Sequence, residues 1–120
     1  MLRLILIICS ISSTDETALT NAIACGERTY GHIDGLILNA GTLDPLCRVG
    51  NTDISLESWK AIFDINFFSL VTALKGALPA LRKSKYGGRI VFVSSGAAVG
   101  GTPGWGPYSA SKAAMNSLCR

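Results

Sequence analysis

Histidine is nearly missing from this sequence: His32 stands alone, and Cys9, Cys25, Cys47 and Cys119 show no Cys-x-x-Cys spacing. A zinc site needs clustered nitrogen and sulfur donors, and this pattern offers no such set. Cysteines so spaced read as reduced thiols of a cytoplasmic protein. An excess of one charge is lacking too. The formal net charge is only +3, charged residues make up 16% of the chain, and the basic cluster Arg82-Lys83-Ser84-Lys85 falls at a predicted helix end. There it complements the helix dipole, and it lacks the interleaved aromatics of a nucleic-acid surface. No repeat or low-complexity tract is present. The N-terminal apolar run, Leu4 to Cys9, is well short of a bilayer span. What remains, with 48% hydrophobic residues in 120, is a globular chain of one domain, residues 1–120.

The first ten residues have a basic residue, an apolar core and small residues, the outline of a secretory signal. The core is short for that role, and a continuous apolar run also describes a buried parallel strand. The next residues favour the strand. Ser13-Thr14-Asp15-Glu16 reads as a capping box that opens a helix to about Gly26, with Ala18, Leu19, Ala22 and Ile23 on one face. Ile33 to Leu38 predicts a second buried strand, ending in Asn39-Ala40-Gly41. A loop comes after it. Ser55 then caps a long helix to about Lys83, whose apolar residues recur at threes and fours, with a kink or break expected near Pro79. Asn66 lies within an apolar stretch, where a polar amide needs a partner.

The chemistry gathers between Gly88 and Lys112. Ile90-Val91-Phe92-Val93 predicts a buried strand that stops at Ser94 and Ser95, and a loop of glycines and small residues runs on to Pro107. A helix then starts at about Tyr108-Ser109-Ala110-Ser111-Lys112. A spacing of four sets the Tyr108 phenol and the Lys112 ammonium on one face, a turn apart. A free phenol ionises near pH 10, too high for efficient proton transfer at neutrality, and a neighbouring ammonium favours the phenolate. A serine hydroxyl beside it can donate to an oxygen where negative charge develops. Tyr-x-x-x-Lys by itself describes many ordinary helix pairs. The alternation of strands and helices predicts right-handed crossovers and a doubly wound α/β fold with a parallel sheet, whose ligands lie at the carboxyl ends of the strands.

A strand ending in Ser95, followed by Tyr108 and Lys112 at this interval, resembles the short-chain dehydrogenase/reductase family. The resemblance covers about Leu4 to Arg120. The Ser-Gly-Ala-Ala after the strand and the Gly-Trp-Gly-Pro before the tyrosine look like fungal sepiapterin-reductase-like or benzil-reductase-like members. The resemblance implies a partial Rossmann-type fold and an oxidoreductase that moves hydride between a nicotinamide, NADP with NAD as the alternative, and a carbonyl or alcohol carbon. In it Tyr108 is the acid/base, Lys112 supports the phenolate, and Ser95 holds the substrate oxygen. Asn66 holds a water in a proton relay; a structural asparagine bonding backbone is the alternative. Asn39, Ala40 and Gly41, with Tyr108 and Lys112, lie against the cofactor. The implied partner is a small-molecule carbonyl or alcohol, with neither nucleic acid nor membrane, and full-length members are expected to be homo-oligomers.

This chain departs from the family pattern at both ends. No Gly-x-x-x-Gly-x-Gly stands ahead of the catalytic stretch, and Arg120 falls a few turns into the catalytic helix. The expectation is therefore a fragment, through a truncated gene model, splicing or gene decay. An inactive chain that only pairs with others, for example through residues 55–83, is the competing function.

Overall fold

The computed structural model of the chain describes residues 14–46, 48–50 and 54–120. The strand expected at Leu4–Cys9, and Ser13 of the expected capping box, lie outside them. The described elements are α1 (Glu16–Tyr30), β1 (Gly35–Leu38), α2 (Leu56–Phe63), a π-helical turn (Asp64–Phe68), α3 (Ser69–Leu81), β2 (Arg89–Phe92), a 3-10 turn (Gly96–Ala98) and α4 (Gly106–Leu118). They group into two compact units. One takes in the chain up to Leu38 together with Ser69–Val91, and the other Asn39–Phe68 together with Phe92–Arg120.

In the first unit, the N-cap of α1 is Asp15, whose carboxylate accepts from Ala18 N at 2.8 Å. Glu16 is thus the first helical residue and not the third, two places from its role in the expected box. The helix also outruns the expected end near Gly26. An interior glycine costs a helix only about 1 kcal/mol and does not stop it. The stop is Gly31, at φ 80, a left-handed cap that glycine adopts freely and whose N–H bonds Glu27 O. α1 packs on α3. Ala77 and Ala80 let the helices approach, and a Cβ at Gly76 would come within 3.1 Å of Ile23 Cδ1.

β1 and β2 form a two-stranded parallel sheet. Side chains alternate along a strand. Leu36 and Ile90 pack onto a core of Ile23, Ile33, Ala77, Ala80 and Leu81, whereas Ile37 and Val91 remain 45% and 51% exposed. The strands expected to be buried are, among the described residues, covered on one face only. Buried Asp34 anchors the strand entrances. Its carboxylate accepts from Ser84 Oγ, and its carbonyl accepts from Arg89 N at 3.0 Å. His32 Nε2 lies 3.1 Å from the other carboxylate oxygen, within ion-pair distance of a protonated imidazole but outside hydrogen-bond geometry.

Of the kink or break expected near Pro79, no break occurs at the proline itself. α3 continues through Pro79 to Leu81, although a proline at this point forfeits one bond of the ladder. The helical run is interrupted instead at the π turn. Leu56–Leu81 is long and apolar enough to cross a membrane by length and composition alone, a test that buried core helices also pass.

In the second unit Ser55 caps α2 as expected, accepting from Ser58 N at 3.2 Å. α2 and the π turn both pack on α4. The buried centre holds Ile62, Asn66, Pro107, Ser111, Lys112 and Met115. Gly106 opens α4 against Trp59, whose ring would lie 3.2 Å from a Cβ there.

Candidate active site

All the candidate residues fall in the second unit. The chain leaves β2 at Phe92, and the next three residues turn toward α4. Lys112 Nζ donates to Val93 O at 2.8 Å, and Ser94 Oγ donates to Asn116 Oδ1 at 2.6 Å. Ser95 is extended and caps the 3-10 turn, its Oγ accepting from Ala97 N at 3.2 Å. That bond occupies a lone pair and leaves the hydroxyl proton for an outside acceptor. The 3-10 turn packs on α4.

α4 begins with Pro107 in its first turn, where the missing N–H costs nothing. Tyr108 and Lys112 follow a helical turn apart, with Nζ 5.8 Å from the phenol ring centroid. On another side the Trp105 ring meets Tyr108 edge to face, 5.8 Å between centroids. The lysine is buried, and one of the three ammonium donors goes to Val93. Gly41 makes room for it. A Cβ at that position would lie 3.4 Å from Nζ and 3.3 Å from Asn66 Oδ1.

Asn66, wholly buried in the π turn, satisfies its amide completely on the donor side. Nδ2 donates to Thr42 O at 2.8 Å and to Ser111 Oγ at 3.0 Å, while Oδ1 accepts from Thr42 N at 2.7 Å. Ser111 passes the chain of bonds on, donating to Tyr108 O at 2.7 Å. π turns interrupt helices where a side chain needs to be re-aimed, often at functional sites. Here the interruption brings Asn66 to the loop that follows Asn39-Ala40-Gly41.

The sequence-predicted residues Gly41, Asn66, Tyr108 and Lys112 thus share one set of contacts, and Ser95 lies in the turn packed beside them. Asn39 and Ala40 are exposed at the chain's exit from β1. Sequence reasoning missed Thr42, Ser111, Asn116 and Trp105. For Ser111 the signal was present, since it lies three residues after Tyr108 and so on the same face. A nicotinamide cofactor fits this donor set: spare ammonium donors on Lys112 and an exposed, side-chain-poor edge at Asn39–Gly41.

Comparison with known proteins identifies the family. The family model for short chain dehydrogenases matches residues 3–120. An uncharacterized oxidoreductase of Schizosaccharomyces pombe is 50% identical over 97 residues, covering 81% of this chain and 38% of that protein. A benzil reductase ((S)-benzoin forming) of Saccharomyces cerevisiae is 39% identical over 105 residues, covering 86% and 40%. The crystal structure of a carveol dehydrogenase from Mycobacterium avium in complex with NAD superposes with a TM-score of 0.83 at 26% identity, over 92% of this chain and 39% of that one. The chain spans about 40% of the length of the curated relatives it matches.

Proposed function

The chain belongs to the short-chain dehydrogenases, and from that premise we propose that Tyr108 is the proton donor and acceptor of a carbonyl reductase. A bound nicotinamide, NADP in our reading, with NAD the alternative, would supply the hydride; Asn39, Ala40, Gly41, Tyr108 and Lys112 would hold it. As the substrate carbonyl oxygen becomes an alkoxide, the Tyr108 hydroxyl gives it a proton, and the Ser95 O–H donates a hydrogen bond to it beforehand. The Lys112 ammonium offsets the charge left on the phenol oxygen. Asn66 is the candidate holder of a relay water, for which a lone pair of Oδ1 remains.

The observation that carries this reading is the buried Lys112 ammonium, fixed by the Val93 carbonyl one turn from Tyr108. A buried cation with one carbonyl partner is costly to hold, and groups held at such cost gather at functional sites. We take diketones as the substrate class to be tested, a reading that the similarity to a benzil reductase supports. We place the protein in the cytoplasm. The test is oxidation of NADPH and NADH by the protein that carries this chain, with a panel of aromatic and aliphatic diketones. Diketone-dependent oxidation supports the proposal, and its absence with both cofactors would overturn it.

A further inference from the structure

We propose that Ser111 is a positioning residue for the proton-transfer pair, tying the peptide that links Tyr108 to Lys112 onto the Asn66 turn. The inference rests on the roles proposed above for Tyr108 and Lys112. Ser111 is completely buried, and both functions of its hydroxyl are engaged. It donates to Tyr108 O at 2.7 Å and accepts from Asn66 Nδ2 at 3.0 Å. Asn66 in turn clamps both backbone groups of Thr42, next to the glycine against which the Lys112 ammonium lies. The hydroxyl therefore joins the catalytic helix to the π turn, and Asn66 carries the link on to the loop after Gly41.

Such a tie is needed because of where Tyr108 sits. It belongs to the first turn of α4, and Trp105 at the N-cap makes no side-chain capping bond. The first turn of a helix has unsatisfied N–H groups and frays readily unless capped or packed. In a helix the carbonyl of residue 108 leads to the amide of residue 112. The Ser111 hydroxyl bonds that same carbonyl, so it acts on the backbone between phenol and ammonium without touching a reacting atom. A serine bonding back along its own helix ordinarily contributes little. Here the second bond, to Asn66, converts it into an anchor.

The test compares Ser111→Thr with Ser111→Val in the protein that carries this chain, with Ser111→Ala as the variant free of added bulk. Thr and Val share a shape, and only Thr keeps the hydroxyl, which can reach the carbonyl three residues back. A loosened pair should lower kcat about 10- to 100-fold in Val and Ala, with the cofactor KM changed by less than about threefold. Thr should restore kcat to within about threefold of the unsubstituted protein. Equal kcat in Thr and Val, whether both high or both low, would overturn the proposal. Absence of turnover in the unsubstituted protein overturns the oxidoreductase reading instead. Amide hydrogen exchange at Thr42 and in the first turn of α4 then still reads the tie: faster in Val than in Thr supports it, and equal rates refute it.

Discussion

Lys112 is 4% exposed, with one carbonyl partner for an ammonium that carries three donors. Burying a cation so thinly compensated costs several kcal/mol, whereas an apolar residue of similar length fills the same space at little cost. Stability and chemistry therefore pull in opposite directions at this position. Lys112→Met should leave the melting temperature within the shift expected of about 1 kcal/mol, since the lost charge offsets the orphaned Val93 carbonyl. Turnover should fall at least about tenfold, because the phenolate loses its neighbour. Thermal denaturation alongside initial rates checks both, and a large loss of stability with turnover intact would make the lysine structural. Gly41→Ala is the converse case. Its Cβ would sit 3.3 Å from Asn66 Oδ1 and 3.4 Å from Lys112 Nζ, so overpacking should cost about 1–3 kcal/mol and disturb both groups. Unchanged melting and unchanged rates would contradict the geometry. These residues differed in how openly the sequence showed them. Tyr108 and Lys112 are visible as a spacing and Ser111 shares their face, whereas Thr42 and the bond from Asn66 to Ser111 belong to a network that only tertiary structure assembles.

At the scale of elements, the strong periodic signals translated directly. The Ser55 cap, the long helical run and the helix carrying Tyr108 follow from side chains a few residues apart. The misplaced features depend on geometry that local pattern does not encode. Gly26 looked like a stop and is an ordinary interior residue, while the left-handed turn falls at Gly31. The helix does not break at Pro79, and an interruption that the pattern did not announce is the π turn at Asp64–Phe68, where Asn66 finds its partners on Thr42 and Ser111. Another contact invisible to pattern joins α3 to β2. A Cβ at Gly88 would stand 2.5 Å from Leu81 O and 2.8 Å from Leu81 Cβ. Backbone cannot yield as a flexible side-chain tip can. Gly88→Ala should therefore destabilise by about 3 kcal/mol, at the upper end for overpacking, or prevent folding. Chemical denaturation measures this, and a midpoint equal to that of the unsubstituted protein would be incompatible with the close approach.

At the scale of the molecule, the parallel sheet presents Ile37 and Val91 from the face that the other described residues leave uncovered. Apolar side chains beside strand edges favour association between chains. Replacing both with threonine, which keeps the β-branched shape, should change folding stability by less than about 1 kcal/mol while raising the soluble fraction of residues 1–120 expressed alone. No gain in solubility would place the cause of association elsewhere. The fold class was legible because the alternation of strands and helices is written in contiguous sequence. The exposure of the strands was not, since burial depends on what covers a face and not on what composes it. The central claim, that this chain carries the proton-transfer half of a nicotinamide oxidoreductase, is tested most directly by one variant in the protein that contains it. Tyr108→Phe removes a single oxygen and keeps the ring that Trp105 and Lys112 pack against. The account predicts that diketone-dependent kcat falls by about 100-fold or more while cofactor affinity stays within about threefold. Substantial residual kcat in Tyr108→Phe would contradict it.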